Sequence, residues 1–504
     1  MRSLFWVLCC AGGVSLAAGY EIKLSTLVDK PGVEFIGWLN DSWYAIGFEK
    51  PGNLNKPPRY TIYKFTPGFR SGKASVLYPS FGEKTYYLQA GFHRGKIAMY
   101  YAVCERRTDE EWMLETRDSR KMLPVIMRQE FNAQTLEPDS AALLIFDEKD
   151  EFFTCSGIML AQSPDGAKSA LLIKPYYKHQ KFKLLITDNR TGAISSKTYN
   201  FTNLKEYLQF LQLHINNEGY AYVVTRVRDD VISLAPSGKN KPQNTYYIFG
   251  VGSNGETPEP YKITSPQGGL YYRNPLGTLS TGGELVLAFD AYADEPRTVY
   301  RETALCKINA SLQLTGKTTL APKPDVAAQA AGVSGAKKGK EFTGYRSVQI
   351  ITGNKGYGIL AEYTDTSMQK NSPAVVSCGA LLVYQTDENL ALKNNWLVPK
   401  KQQSATVHYA FGARMLASPG GFYLLHNADW EADEEHFMNL MHTRLPADGG
   451  APVTEKIVKT SDDFFVNFSY WFTGAGRIVL QQERLVDYGE ISKEVRWMEL
   501  TPSK

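Results

Sequence analysis

Between Phe152 and Ile194 the chain alternates short apolar runs with clusters of turn residues. Gly157-Ile158-Met159-Leu160-Ala161 leads into Ser163-Pro164-Asp165-Gly166, and Ala170-Leu171-Leu172-Ile173 leads out. Phe182-Lys183-Leu184-Leu185-Ile186 then enters Asp188-Asn189-Arg190-Thr191-Gly192, and the chain leaves through Ala193-Ile194. Runs of four to eight residues rich in β-branched and aromatic side chains, bounded by Gly, Pro, Asn and Asp, are strand signals. The stretch therefore predicts four antiparallel strands joined by tight turns. Nearly all of the remaining sequence divides the same way, and the first turn of each unit falls near residues 40, 94, 165, 218, 282, 354, 420 and 475.

That spacing centres near ~60 residues, the length of one four-stranded unit with its connections. Such units cannot bury both faces alone, and arranging them radially leaves only short, protected edges. The expected fold is all-β: a single β-propeller of eight four-stranded antiparallel blades, with seven as the alternative because the second unit matches least well. Two segments interrupt the pattern. Residues 105–123 form a mixed-charge insertion containing Trp112, Met113 and Leu114. Residues 321–341 are rich in Ala, Gly, Lys and Pro, the composition of a flexible surface connection with little apolar mass to bury.

Composition supports a β reading, with 30 Tyr and 24 Phe for pleated surfaces and 42 Gly and 25 Pro for turns. At the N-terminus, Arg2 precedes an apolar run from Leu4 to Leu16, followed by Ala17-Ala18-Gly19. The run is short for a membrane span, and small residues close it, so residues 1–19 read as a signal peptide and residues 20–504 as the propeller. The expected location is the periplasm or the exterior, without a lipid anchor, since bulky residues precede Cys9 and Cys10. No transmembrane segment is expected in the mature chain. Arg2 is the one charge in residues 1–19, so its loss takes the net charge from +4 to about +3. That balance argues against a dedicated nucleic-acid binder. Cys104, Cys155, Cys306 and Cys378 lack metal-site spacing; they read as buried thiols, with a Cys104–Cys155 disulfide as the alternative.

The Ser163-Pro164-Asp165-Gly166 turn between two apolar strands resembles the repeats of the Tol-system periplasmic propeller and of prolyl-peptidase propeller domains. The Asn217-Glu218-Gly219 and Asn254-Gly255 turns are similar to those of a group of uncharacterised secreted bacterial propellers. The resemblance implies fold and export: such propellers mostly serve as rigid interaction surfaces.

Catalytic signatures are sparse. A propeller-bearing serine hydrolase needs a nucleophile elbow and a second α/β domain, and the chain has neither a GxSxG nor residues to build that domain. No motif asks for a cofactor or metal. Two polar clusters stand out as candidate ligand-binding residues. One is His426, Asp429, Trp430 and His436 in the seventh unit, with Glu431, Asp433, Glu434, Glu435 and His442 nearby. The other is Arg226, Arg228 and Asp229 in the fourth. Charge runs are usually solvated loops, so both are weighed against that simpler reading. The aromatics Tyr176-Tyr177, Tyr271-Tyr272 and Trp471 are further candidates for stacking on sugars or partner side chains, weighed against packing at blade contacts, which explains most aromatics in a chain this rich in Tyr. The functional expectation is an exported, non-catalytic scaffold that binds a protein or an envelope component. The alternative is a glycan-active hydrolase or lyase using the seventh-unit cluster.

Overall fold

The computed structural model describes residues 20–502 apart from 25–27, 30–32, 50–58, 70–71, 78–84, 106–122, 140, 147–152, 176–180, 202–207, 228–244, 253–257, 266–269, 294–298, 335–341, 354, 368–374, 405–411, 419–420, 428–439, 459–463, 475–476 and 486–490. The candidate signal peptide and the core of the mixed-charge insertion thus lie outside the described residues.

Strands pair within eight separate antiparallel sheets, seven of them built from consecutive chain. The inner strands, numbered by blade, are Val33–Leu39, Thr85–His93, Phe153–Gln162, Leu208–Ile215, Tyr271–Leu279, Tyr345–Gly353, Ala413–Ser418 and Phe464–Gly474. Neighbouring inner strands meet around the ring, and apolar clusters fill the seams: Tyr44, Ile62, Met99 and Tyr101 between blades one and two, for example, and Val224, Ile248, Leu287 and Phe289 between four and five. The architecture is an eight-bladed propeller, which settles the count against seven. All eight turns anticipated from the sequence join the first and second strands of a blade.

The eighth blade closes the ring with both ends of the chain. Tyr20–Leu24 pairs antiparallel with the C-terminal strand Ile491–Pro502, from Tyr20 opposite Pro502 to Leu24 opposite Met498. Val28–Asp29 pairs with the same strand further along. Trp43 and Trp497 are fully buried in the seam that joins this blade to the first.

Because successive strands run in opposite directions, every blade sends its first-to-second and third-to-fourth turns to one side of the ring. Its second-to-third connections and the crossings to the next blade lie on the other. The two sides are called here the turn face and the loop face. First-to-second turns span two or five residues, whereas loop-face connections run from three residues (30–32) to twenty-four (321–344).

Part of the last connection departs from the expectation of a flexible segment. Pro324–Ser334 is an α-helix. Proline at the first helical position fixes φ and loses no hydrogen bond, Asp325 suits the positive helix end, and alanines fill the middle. One turn apart, Val326 and Ala330 are 3% and 1% exposed and join the core between blades five and six. A small apolar face suffices because the blades supply the rest of the contact. Of the cysteines, Cys306 and Cys378 are buried free thiols; the side chains of Cys104 and Cys155 lie outside the described residues.

Candidate functional site

The inner strands share a device with no obvious sequence signature. Pairing between first and second strands slips at one place: Phe35/Gly37, Tyr87/Gln89, Phe210/Gln212, Arg273/Leu276 and Ser347/Gln349 in blades one, two, four, five and six. A bulge bends its strand and re-aims side chains. The extra residues Ile36, Leu88, Leu211 and Val348 are all apolar and half-buried. Beyond the bulge, glutamine amides reach to the neighbouring inner strand. Gln212 Nε2 donates to Pro275 O at 2.6 Å. Gln349 Nε2 donates to Met415 O at 3.0 Å, while its Oε1 accepts from Met415 N at 2.8 Å. Inner strands present an unpaired edge, and these amides satisfy part of it.

At the loop face the seams carry buried charge. Asp290, 0% exposed on the second strand of blade five, accepts from Ser347 N (2.9 Å) and Ser347 Oγ of blade six. Asn274 Nδ2 (3.2 Å) and the Tyr292 hydroxyl (3.4 Å) also donate to it. Burial pushes its pKa up to about 6 against these donors. At the next seam Glu362 pairs with Lys400, whose side chain is 0% exposed and whose Nζ also donates to Gly412 O at 3.2 Å. Arg414, half-buried on the inner strand of blade seven, lies in the field of Glu362, and burial lowers its pKa.

His426 is the next-to-last residue of the strand Gly421–Asn427, next to the same seam. It is 4% exposed. A carbonyl can only accept, so its Nδ1 carries the proton and donates to Asn427 O at 3.0 Å; its Nε2 then accepts from Thr443 Oγ1 at 3.1 Å. Burial lowers its pKa to about 4, so the ring is neutral at physiological pH. Asn427 in turn ties blade seven to eight, donating to Val466 O at 2.9 Å. In this position His426 is a pin in the wall, closed off from solvent.

Arg226, half-buried near the end of the strand Ala221–Val227, donates from Nη2 to Gln209 Oε1 at 2.7 Å. Arg228, Asp229, Asp429, Trp430 and His436 lie outside the described residues, as do Tyr176 and Tyr177. The described strands that lead into both clusters, Ala221–Val227 and Gly421–Asn427, end at the loop face, three blades apart. Of the second tyrosine pair, Tyr271 is half-buried at the loop-face end and Tyr272 is buried against Phe289. Among the described residues no group of three or more His, Cys, Asp or Glu is arranged to hold a metal ion. A cavity of about 230 Å³ opens at the rim between Tyr261, Tyr272, Phe289, Cys306 and Lys317, away from the channel. Asp290, Glu362 and Lys400 escaped the sequence reading. Their signal was a single charge inside an apolar strand, as in Ala288-Phe289-Asp290-Ala291-Tyr292 and Leu360-Ala361-Glu362-Tyr363.

No family model matches the chain, and no curated protein matches it. The Tol-like and secreted parts of the sequence resemblance therefore gain no support from these comparisons. Solved structures with similar backbones include a polysaccharide lyase, an ulvan lyase of family 25 (12% identity over 89% of this chain and 96% of that one, TM-score 0.37). Prolyl oligopeptidase B from Galerina marginata matches at 10% identity over 93% of this chain and 55% of that one, TM-score 0.38. The propeller domain of the Trilobed protease from Pyrococcus furiosus matches at 10% identity over 86% of this chain and all of that domain, TM-score 0.36. Such scores carry no argument about activity, and the fold assignment rests on the strand pairing itself.

Proposed function

We propose that this protein is an exported propeller acting as a non-catalytic binding scaffold, with the loop face as its contact surface. One observation carries the reading: connections on the loop face reach seventeen and twenty-four residues (106–122, 228–244 and 321–344), against at most eleven (132–142) on the turn face. Binding residues concentrate on loops held by a rigid frame. The basic residue, apolar run and small residues of positions 2–19 support export. Cleavage after Gly19 would retain the pairing of Tyr20–Leu24 with Ile491–Pro502. The buried, fully bonded His426 speaks against using it as a general base.

Site-specific photo-crosslinking in the producing cell tests this. A crosslinking residue at Gln209 or Asn274, both exposed on the loop face, should capture an envelope component. The same residue at Asn217, Glu388 or Asp448 on the turn face should not. Capture from the turn face alone, or turnover of a defined polysaccharide by the purified protein, would refute the reading.

A further inference from the structure

The eight inner strands, which form the channel wall, are nearly free of charge. Their sequences contain one carboxylate, Glu34, and three arginines: Arg273, Arg346 and Arg414. The arginines are not scattered. They occupy three consecutive blades, five, six and seven, each within the first three residues of its strand, at the loop-face mouth.

The seam hydrogen bonds fix their levels. Arg273 lies opposite Asp290 in the strand pairing, and Asp290 holds Ser347, the neighbour of Arg346. Gln349 grips Met415, the neighbour of Arg414. Electrostatics agree: Arg273 and Arg346 both act on the Tyr292 hydroxyl, and Arg346 also acts on Cys378 in company with Glu362 and Lys400. Arg226 of blade four extends the row, anchored to Gln209 at the same end of the adjoining inner strand.

The carboxylates nearby are already committed. Asp290 is buried under four donors, and Glu362 is held by Lys400. Among the described residues no carboxylate pairs with Arg273 or Arg346, and Arg346 is exposed. The geometry points to an acidic-glycan site: an arc of guanidinium groups, with the half-buried Tyr271 beside it, that binds successive carboxylates of a uronic-acid polymer across the channel mouth. Guanidinium groups match carboxylates in planar, two-pronged fashion, and an aromatic ring offers a face for a sugar. This deepens, and rests on, the loop-face reading above.

The test is calorimetric titration of the purified protein with oligogalacturonate. The methyl-esterified oligomer supplies the same backbone without charge, and poly-glutamate supplies carboxylates without sugar. Oligogalacturonate should bind, more weakly at high salt; the ester and poly-glutamate should not. Removing two charge-assisted contacts in Arg273→Ala/Arg346→Ala should weaken binding by about 100-fold or more. Arg190→Ala, exposed on the turn face, should bind as wild type, with thermal melts confirming that all variants fold. Absence of oligogalacturonate binding, an unchanged affinity in the double variant, or equal binding of poly-glutamate would overturn the site. So would binding that appears only after Asp429, Glu431, Asp433, Glu434 and Glu435 are neutralised, since the arc would then serve the chain's own carboxylates. Loop-face crosslinking that persists through any of these failures leaves the scaffold reading standing.

Discussion

The turn face and the loop face are made by the same strands yet solve opposite problems. On the turn face the first-to-second turns satisfy their polar groups locally, within two or five residues. Asn40 and Asp41 both take positive φ, as do Arg94 and Gly95, the geometry of two-residue hairpins. In the five-residue turn of blade three, Gly166 N donates to Ser163 O (2.8 Å), and Asp165 Oδ1 accepts from Ser163 Oγ (2.6 Å) and Ala167 N (2.9 Å). The turns also reach sideways, as when Asn217 Oδ1 accepts from Asp165 N at 3.1 Å. Buried Glu499 takes Trp43 Nε1 (2.8 Å), Gly68 N (3.1 Å) and Arg477. On the loop face Asp290, Lys400 and Asn427 bond across seams, to Ser347, Gly412 O and Val466 O, while neutral His426 bonds within blade seven. The difference teaches that the first-to-second turns are local, redundant locks, whereas the long-range pins, Glu499 on one face and Asp290 on the other, are single side chains.

If so, single substitutions at the pins should cost more than single substitutions in the turns. Lys400→Ala strands Glu362 without its cation and should destabilise by about 3–5 kcal/mol, read from urea midpoints. Glu362→Leu/Lys400→Met should recover most of that loss; a single variant as stable as wild type would break the contrast.

His426 gives the next effect. Its folded pKa of about 4 lies below the model-peptide value of 6.5, so the unfolded chain binds the extra proton first. Stability is fully present above 6.5 and declines as pH falls towards 4, by a few kcal/mol (~3) at the limit. His426→Gln should flatten that part of the pH–stability curve. Asp290 bends the curve the other way. Its folded pKa of about 6 exceeds 3.8, so the folded state keeps a proton that the unfolded chain releases. Stability therefore falls as pH rises through this window and is level above it, and Asp290→Asn should remove that slope, worth roughly 2–3 kcal/mol. The two windows overlap, so only the single variants separate them. The smallest effect belongs to the turn face: Gly166→Ala, at φ +68 with open space for its Cβ, should cost about 1 kcal/mol of backbone strain and leave ligand binding at the loop face unchanged.

The same contrast explains what the sequence disclosed. Turns are local, and Gly, Asn and Asp report positive φ directly, so all eight first turns and the blade count could be read from residues such as Asn40-Asp41 and Ser163-Pro164-Asp165-Gly166. The pins join residues far apart in the chain: Asp290 and Ser347, Glu362 and Lys400, Asn427 and Val466. Nothing local marks those partners. The bulges at Ile36, Leu88, Leu211 and Val348 look like ordinary strand hydrophobes, and the helix Pro324–Ser334 hid in an Ala-rich stretch because small side chains, Val326 and Ala330 among them, suffice inside. The arginine arc was invisible for another reason. Arg273, Arg346 and Arg414 become a set only when inner strands can be told from outer ones.

Pairing of Tyr20–Leu24 with Ile491–Pro502 also sets a timetable for biosynthesis. The segment that leaves the ribosome early must wait for nearly the whole chain before its partner exists. Seven blades can form in order while two sticky edges stay open, and the last fan completes only once Ile491–Pro502 has been made. A product truncated before Ile491 would therefore retain those edges and be prone to aggregate, which makes this one strand a proofreading step for the entire ring.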